Sequence, residues 1–167
     1  MRSLGNPKCR SYFFDEGKAA IDFDTSVKLT IYEMVARTTR MPTSIDIALG
    51  IGSSMADVEQ AFQRLSEKRL LVLEPGSSSR IRMAPPFSGI ETQHRVIIEE
   101  KIYFANCAWD AFGIAAALKR DADIESTCPD CDEPLTFQIR GGRPLLQEYV
   151  VHFAVPAAQW WQDIVYT

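Results

Sequence analysis

Residues 103–117, YFANCAWDAFGIAAA, pass from a strand-like aromatic end into an apolar helix, with Cys107 and Asp110 near the turn between them. At helical spacing these two side chains share a face and can exchange a proton. Asn106 is placed to cap the helix, read as 106–118, so Cys107 falls in a first turn whose unpaired amides favour a thiolate. The charge of Asp110 opposes that ionisation, and the two groups should titrate as a pair. On spacing alone a cysteine on an apolar helix is more often a small buried residue than a nucleophile.

Outward from this junction the chain reads as strands. HRVIIEEKIYF (94–104) supplies one or two of them ahead of the helix, and DADIESTCPDCDEPLTFQIRGG (121–142) reads as strand, cysteine-bearing turn and strand behind it. Cys128 and Cys131 form a CPDC pair whose spacing can clasp a metal through two thiolates. A closed zinc site needs about four ligands, and neither Cys9, Cys107, His94 nor His152 is placed to complete one. The segment LTFQI after Pro134 also denies the pair the helix of a thioredoxin-like motif. Residues 149–155 read as a last strand broken by Pro156, with His152 as a structural histidine and Trp160 and Trp161 as packing anchors or a pocket wall.

Towards the N-terminus, residues 25–84 form a separate module. Val27, Ile31, Met34 and Val35 recur at helical spacing behind Thr25 and Ser26, which can cap; SIDIALGIG (44–52) is a short helix stopped by glycine; Met55, Val58, Phe62 and Leu65 mark a third helix behind Ser53 or Ser54. LLVLE, PGSSS and RIRMA (70–84) follow as a hairpin. Three helices and a hairpin are the order of a winged helix-turn-helix. DNA contact would use Arg64, Lys68, Arg69, Arg80 and Arg82, against Asp57 and Glu59 early in the third helix, so a structural platform is the favoured role. The expected fold is α+β: a winged helix-turn-helix-like module packed on a small mixed β-sheet domain with a site-bearing helix. Its divisions are an extension at 1–24, the module at 25–84, and a domain at 85–167 that begins with the linker APPFSGIET (84–92).

Composition narrows the function classes. The 167 residues are 46% hydrophobic and 24% charged, enough for a real core and unlike a disordered chain. A net charge of -4 argues against nucleic-acid phosphate as the main partner. No apolar run reaches transmembrane length, IAAAL being closed by Lys119 and Arg120, and the first residues lack the apolar core of a secretory signal. A cytoplasmic protein is expected. Four unevenly spaced cysteines suit thiol or metal chemistry better than a disulfide scaffold.

YFANCAWDAFGIAAAL, CPDC with EPLTF, and VVHFAVPAAQWWQDIVYT (150–167), behind a winged-helix module, resemble the organomercurial (alkylmercury) lyases over roughly residues 25–167. The resemblance implies protonolysis of a carbon–mercury bond to a hydrocarbon and Hg(II) in mercury detoxification. No organic cofactor is implied, and small thiols or a mercury-handling protein would accept the product. Cys107 matches the family cysteine that bonds mercury, and Asp110 the acid that relays a proton to the leaving carbon. Mercury is a soft, thiophilic centre, so a thiolate beside a carboxyl is the chemistry such a reaction needs.

The family also uses a second active-site cysteine, expected on a strand just after Thr167, so the catalytic domain reads as truncated there. Cys128 matches a family cysteine usually read as structural, and Cys128 or Cys131 could supply a substitute mercury ligand. Two alternatives accompany the lyase reading. One is a thiol-based, metal-responsive winged-helix regulator; the other is a lyase homologue that binds metal without organomercurial turnover.

Overall fold

The structure, a computed structural model, describes residues 21–145, 148–153, 155–162 and 164; Cys9 lies outside them. Helix α1 (Phe23–Thr38) begins earlier than Thr25 and Ser26 suggest, because Asp22 is the cap. Its carboxylate accepts from the Thr25 amide at 3.0 Å and the Thr25 hydroxyl at 2.6 Å, which satisfies a donor that the helix leaves open. Val27, Ile31 and Val35, four apart, form the buried stripe. Helix α2 (Ser44–Ile51) opens on a capping box in which Thr43 and Asp46 bond reciprocally, and ends at Gly52 in the left-handed region, φ 70°. Helix α3 (Met55–Glu67), capped by Ser54, buries Val58, Ala61, Phe62 and Leu65. Burial of one such large side chain contributes about 1.5–3 kcal/mol.

Strands β1 (Val72–Leu73) and β2 (Ile81–Ala84) make the expected hairpin. The segment expected to be a linker does not separate two sheets. Within it β3 (Phe87–Ser88) pairs with β2 on one side and with β5 (Lys101–Ala105) on the other. With β4 (His94–Ile98), β6 (Ala122–Thr127), β7 (Pro134–Arg140) and β8 (Arg143–Pro144), the described strands form one eight-stranded sheet, ordered β1-β2-β3-β5-β4-β6-β7-β8. The fold is α+β as expected, but every described pairing is antiparallel rather than mixed. Gly89 permits the β2–β3 contact: its amide donates to the Arg82 carbonyl at 2.7 Å, and a Cβ there would lie 2.4 Å from the Ile81 carbonyl oxygen.

Helix α4 (Ala108–Leu118) covers the buried face of β4, β5 and β6 with Ala111, Ile114 and Ala115, while Val96, Tyr103, Ala105 and Ile124 rise to meet it. The same core continues through Phe87 and Ala84 to Ile31 and Phe62 beneath the first three helices. Two long-range bonds tie α1 to this layer: Tyr32 Oη donates to the Pro85 carbonyl and Tyr103 Oη to the Ala36 carbonyl, each at 2.7 Å.

Residues 149–153, expected to be a strand, form none. Their apolar side chains are exposed, Val150 at 89%, and β8 already occupies the neighbouring edge of β7, so alternating sequence finds no strand to pair with. After Pro156 a 3₁₀ helix (Ala157–Gln162) carries both tryptophans.

Candidate active site at the start of helix α4

The cap of α4 is Cys107, not Asn106. Cys107 keeps extended geometry at φ −149°, ψ 173°, and its sulfur accepts the Asp110 amide at 3.5 Å. The thiol thus takes the place that a serine or aspartate oxygen usually fills at a helix start. Asn106 has a different job: its side-chain amide donates to Asp110 Oδ2 at 3.3 Å, an i,i+4 contact readable from the sequence but missed there.

The electrostatics reverse the expectation of a helix-favoured thiolate. Burial and then the Asp110 charge push the Cys107 thiol above its ordinary range, outweighing the amides of Asp110 and Trp109 that stabilise the thiolate. Burial likewise raises Asp110, against the opposing hydrogen bonds from Asn106 and Cys107. Burial thus disfavours charge on both groups, an arrangement in which a thiol proton can pass to the neighbouring carboxyl when the sulfur gains another partner. Tyr32 from α1 feels the same carboxylate: burial and then Asp110 raise its hydroxyl.

Aromatic rings extend from this helix start into the C-terminal segment. Trp109, 57% exposed, meets Phe153 edge-on at 6.1 Å, and Phe153 lies 5.0 Å from Trp160. Phe112 on α4 contacts Phe137 at 5.5 Å, which in turn contacts Tyr149 at 5.7 Å. Trp160 Nε1 donates to the Val155 carbonyl at 3.0 Å, and the Arg69 guanidinium lies over Trp161 at 5.9 Å. Trp160 and Trp161 are therefore packed, and Trp160 joins the ring cluster that begins at Trp109.

His94, set aside as a metal ligand in the sequence, pairs with Ala105 across β4 and β5, and its Nδ1 lies 2.8 Å from Ser126 Oγ. Burial holds the imidazole below its ordinary range, so it is biased towards the neutral form. His152 is exposed. Cys128 and Cys131 occupy the turn between β6 and β7, where the Cys128 amide donates to Glu133 at 2.9 Å and the Asp132 amide to Cys128 at 3.0 Å. Among the described residues no hydrogen bond joins this turn to Cys107 or Asp110, and no cluster of three or more His, Cys, Asp or Glu side chains is arranged to hold a metal.

Three of the basic residues considered for DNA contact are engaged in ion pairs. Asp24 on α1 binds Arg64 at 2.7 Å and Lys68 at 3.2 Å, and Arg82 lies 3.7 Å from Glu74. Glu59, on the would-be recognition helix α3, accepts from Ser44 at 3.1 Å and Ser78 at 2.9 Å. No helix among the described residues is long and apolar enough to cross a membrane.

The chain is similar to known proteins in two respects. The alkylmercury lyase (MerB) family model matches residues 87–167, which contain α4 and strands β3 to β8. Among solved structures, the crystal structure of the mercury-bound form of MerB2 superposes with a TM-score of 0.60 at 24% identity, covering 76% of this chain. This chain spans 61% of the length of that one. No curated protein matches the sequence. Over residues 87–167, just under half of its length, the chain is therefore similar to the alkylmercury lyases.

Proposed function

We propose that the protein is an organomercurial lyase that cleaves carbon–mercury bonds by protonolysis, with Cys107 as mercury-binding nucleophile and Asp110 as proton relay. The observation that carries this reading is the placement of Cys107 and Asp110 together at the start of α4. Cys107 is a helix cap whose sulfur sits against the Asp110 amide, and burial disfavours charge on both groups. The thiol attacks mercury as its proton moves to the Asp110 carboxylate, so an S–Hg bond forms. The C–Hg bond then breaks with its electron pair on carbon, which takes that proton from Asp110 and leaves as the hydrocarbon. Hg(II) remains on Cys107 as product, for removal by small thiols or a mercury-handling protein.

Asn106 steadies the Asp110 carboxyl through its hydrogen bond to Oδ2. The Trp109, Phe153 and Trp160 rings offer an apolar surface suited to the organic group. The reaction as written needs no organic cofactor, and its role would be mercury detoxification in the cytoplasm. Engagement of Arg64 and Lys68 by Asp24 and of Arg82 by Glu74 weighs against the regulator alternative. The test is benzene release from phenylmercury in excess small thiol: release by the native chain and its loss in Cys107→Ser supports the reading, and Hg binding without benzene supports the non-turnover homologue instead.

A further inference from the structure

The CPDC turn has no part in the chemistry above, yet its position in the sheet bears on it. β5 and β6 flank β4, and both run antiparallel to it. His94 at the start of β4 pairs with Ala105 on one side and reaches Ser126 on the other. Cys107 lies two residues beyond Ala105 and Cys128 two beyond Ser126, so both cysteines leave the sheet by the same end. The strands that lead to them lie two spacings apart, about 10 Å.

At the turn, Asp132 takes φ 58°, and the amides flanking Cys128 fold the chain back so that the two cysteines share one tight loop. The amides of Asp130 and Cys131 and the Cys131 thiol favour the thiolate of Cys128 and hold it below the ordinary thiol range. Cys131 is exposed and Cys128 half-buried, so a metal held by a small carrier can reach them. Among the described residues no third ligand joins the two sulfurs, which suits a soft cation content with two-coordination and does not suit zinc.

We propose that Cys128 and Cys131 are a dithiol clasp for Hg(II), set beside the active site to take the ion from Cys107. The transfer step rests on the lyase reading; binding by the turn does not. In the transfer the Cys107 S–Hg bond breaks and two S–Hg bonds form at the turn. Of the two protons displaced from Cys128 and Cys131, one restores the Cys107 thiol and the other passes to solvent. The two sulfurs act as one bidentate ligand, so a monothiol must break both bonds to remove the ion.

The experiment uses the full chain with Cys9→Ser and Cys107→Ser, which leaves Cys128 and Cys131 as its only thiols. After loading with Hg(II) and exchange into excess monothiol, one Hg(II) per chain should remain by mass spectrometry. Adding either Cys128→Ser or Cys131→Ser should reduce this to none, with circular dichroism unchanged. Loss of Hg(II) from the two-thiol chain, or retention with a single turn cysteine, overturns the clasp. For transfer, the Cys9→Ser chain receives two equivalents of phenylmercury without added thiol and should release about two benzenes per chain, against about one when both turn cysteines are serine. One benzene from each overturns transfer; none from either overturns the lyase reading and leaves the clasp to the retention result.

Discussion

The Tyr32 hydroxyl donates a 2.7 Å hydrogen bond to the carbonyl of Pro85, 53 residues later, and so fastens the first helix to the segment that leads into the site-bearing sheet. Tyr32 also packs edge-on against Phe87 at 6.1 Å. Tyr32→Phe keeps the ring contact and leaves the Pro85 carbonyl without this donor. Stability should fall by about 1 kcal/mol, seen in urea as a lower midpoint with unchanged slope.

Asp110→Asn retains the shape of the side chain and its ability to accept from Asn106, but it cannot relay a proton. Benzene release from phenylmercury should drop by about 10²–10⁴-fold, the usual contribution of a positioned acid. Binding of the mercurial, followed by mass spectrometry, should persist because Cys107 is intact.

The same variant has a stability signature whose sign follows from burial. Asp110 is held above the ordinary carboxylate range, so the folded chain binds its proton more tightly than the unfolded chain does. That contribution is full below the unfolded value and is lost as pH rises through the folded one. Thermal melts should therefore show Asp110→Asn gaining on the native chain as pH increases from about 4 towards neutrality.

Alkylation should rank the thiols. Burial and the Asp110 charge raise Cys107, whereas the amides of Asp130 and Cys131 lower Cys128. In a pH series with iodoacetamide read by peptide mass spectrometry, Cys128 should label before Cys107. In Asp110→Asn the Cys107 midpoint should move down, since the carboxylate charge that helps to raise it is gone.

Gly89→Ala would place a Cβ 2.4 Å from the Ile81 carbonyl oxygen and 2.9 Å from that of Arg82. Both are backbone atoms of β2, so neither can swing aside. A loss of about 1–3 kcal/mol in denaturant unfolding is expected from such overpacking.

Periodicity was enough to find the four helices and their buried stripes, because Val27, Ile31 and Val35, or Val58, Phe62 and Leu65, can face only one way. It was a poorer guide where partners decide the structure. Phe87 and Ser88 carry no strand pattern of their own and become β3 only because β2 and β5 offer edges on either side. Residues 149–153 carry the pattern and lack the edge. At the site, the three-residue spacing of Cys107 and Asp110 was visible, as was their coupling. The cap was not, since cysteine is an unusual residue to fill it, and the raised thiol depends on burial that no local sequence reveals.

The unbroken run of hydrogen bonds from β1 to β8 makes the molecule one cooperative unit. Its helical end cannot open without stripping an edge from the strands that hold Cys107, so amide exchange in α1 and α4 should slow and quicken together, and unfolding should register as a single transition.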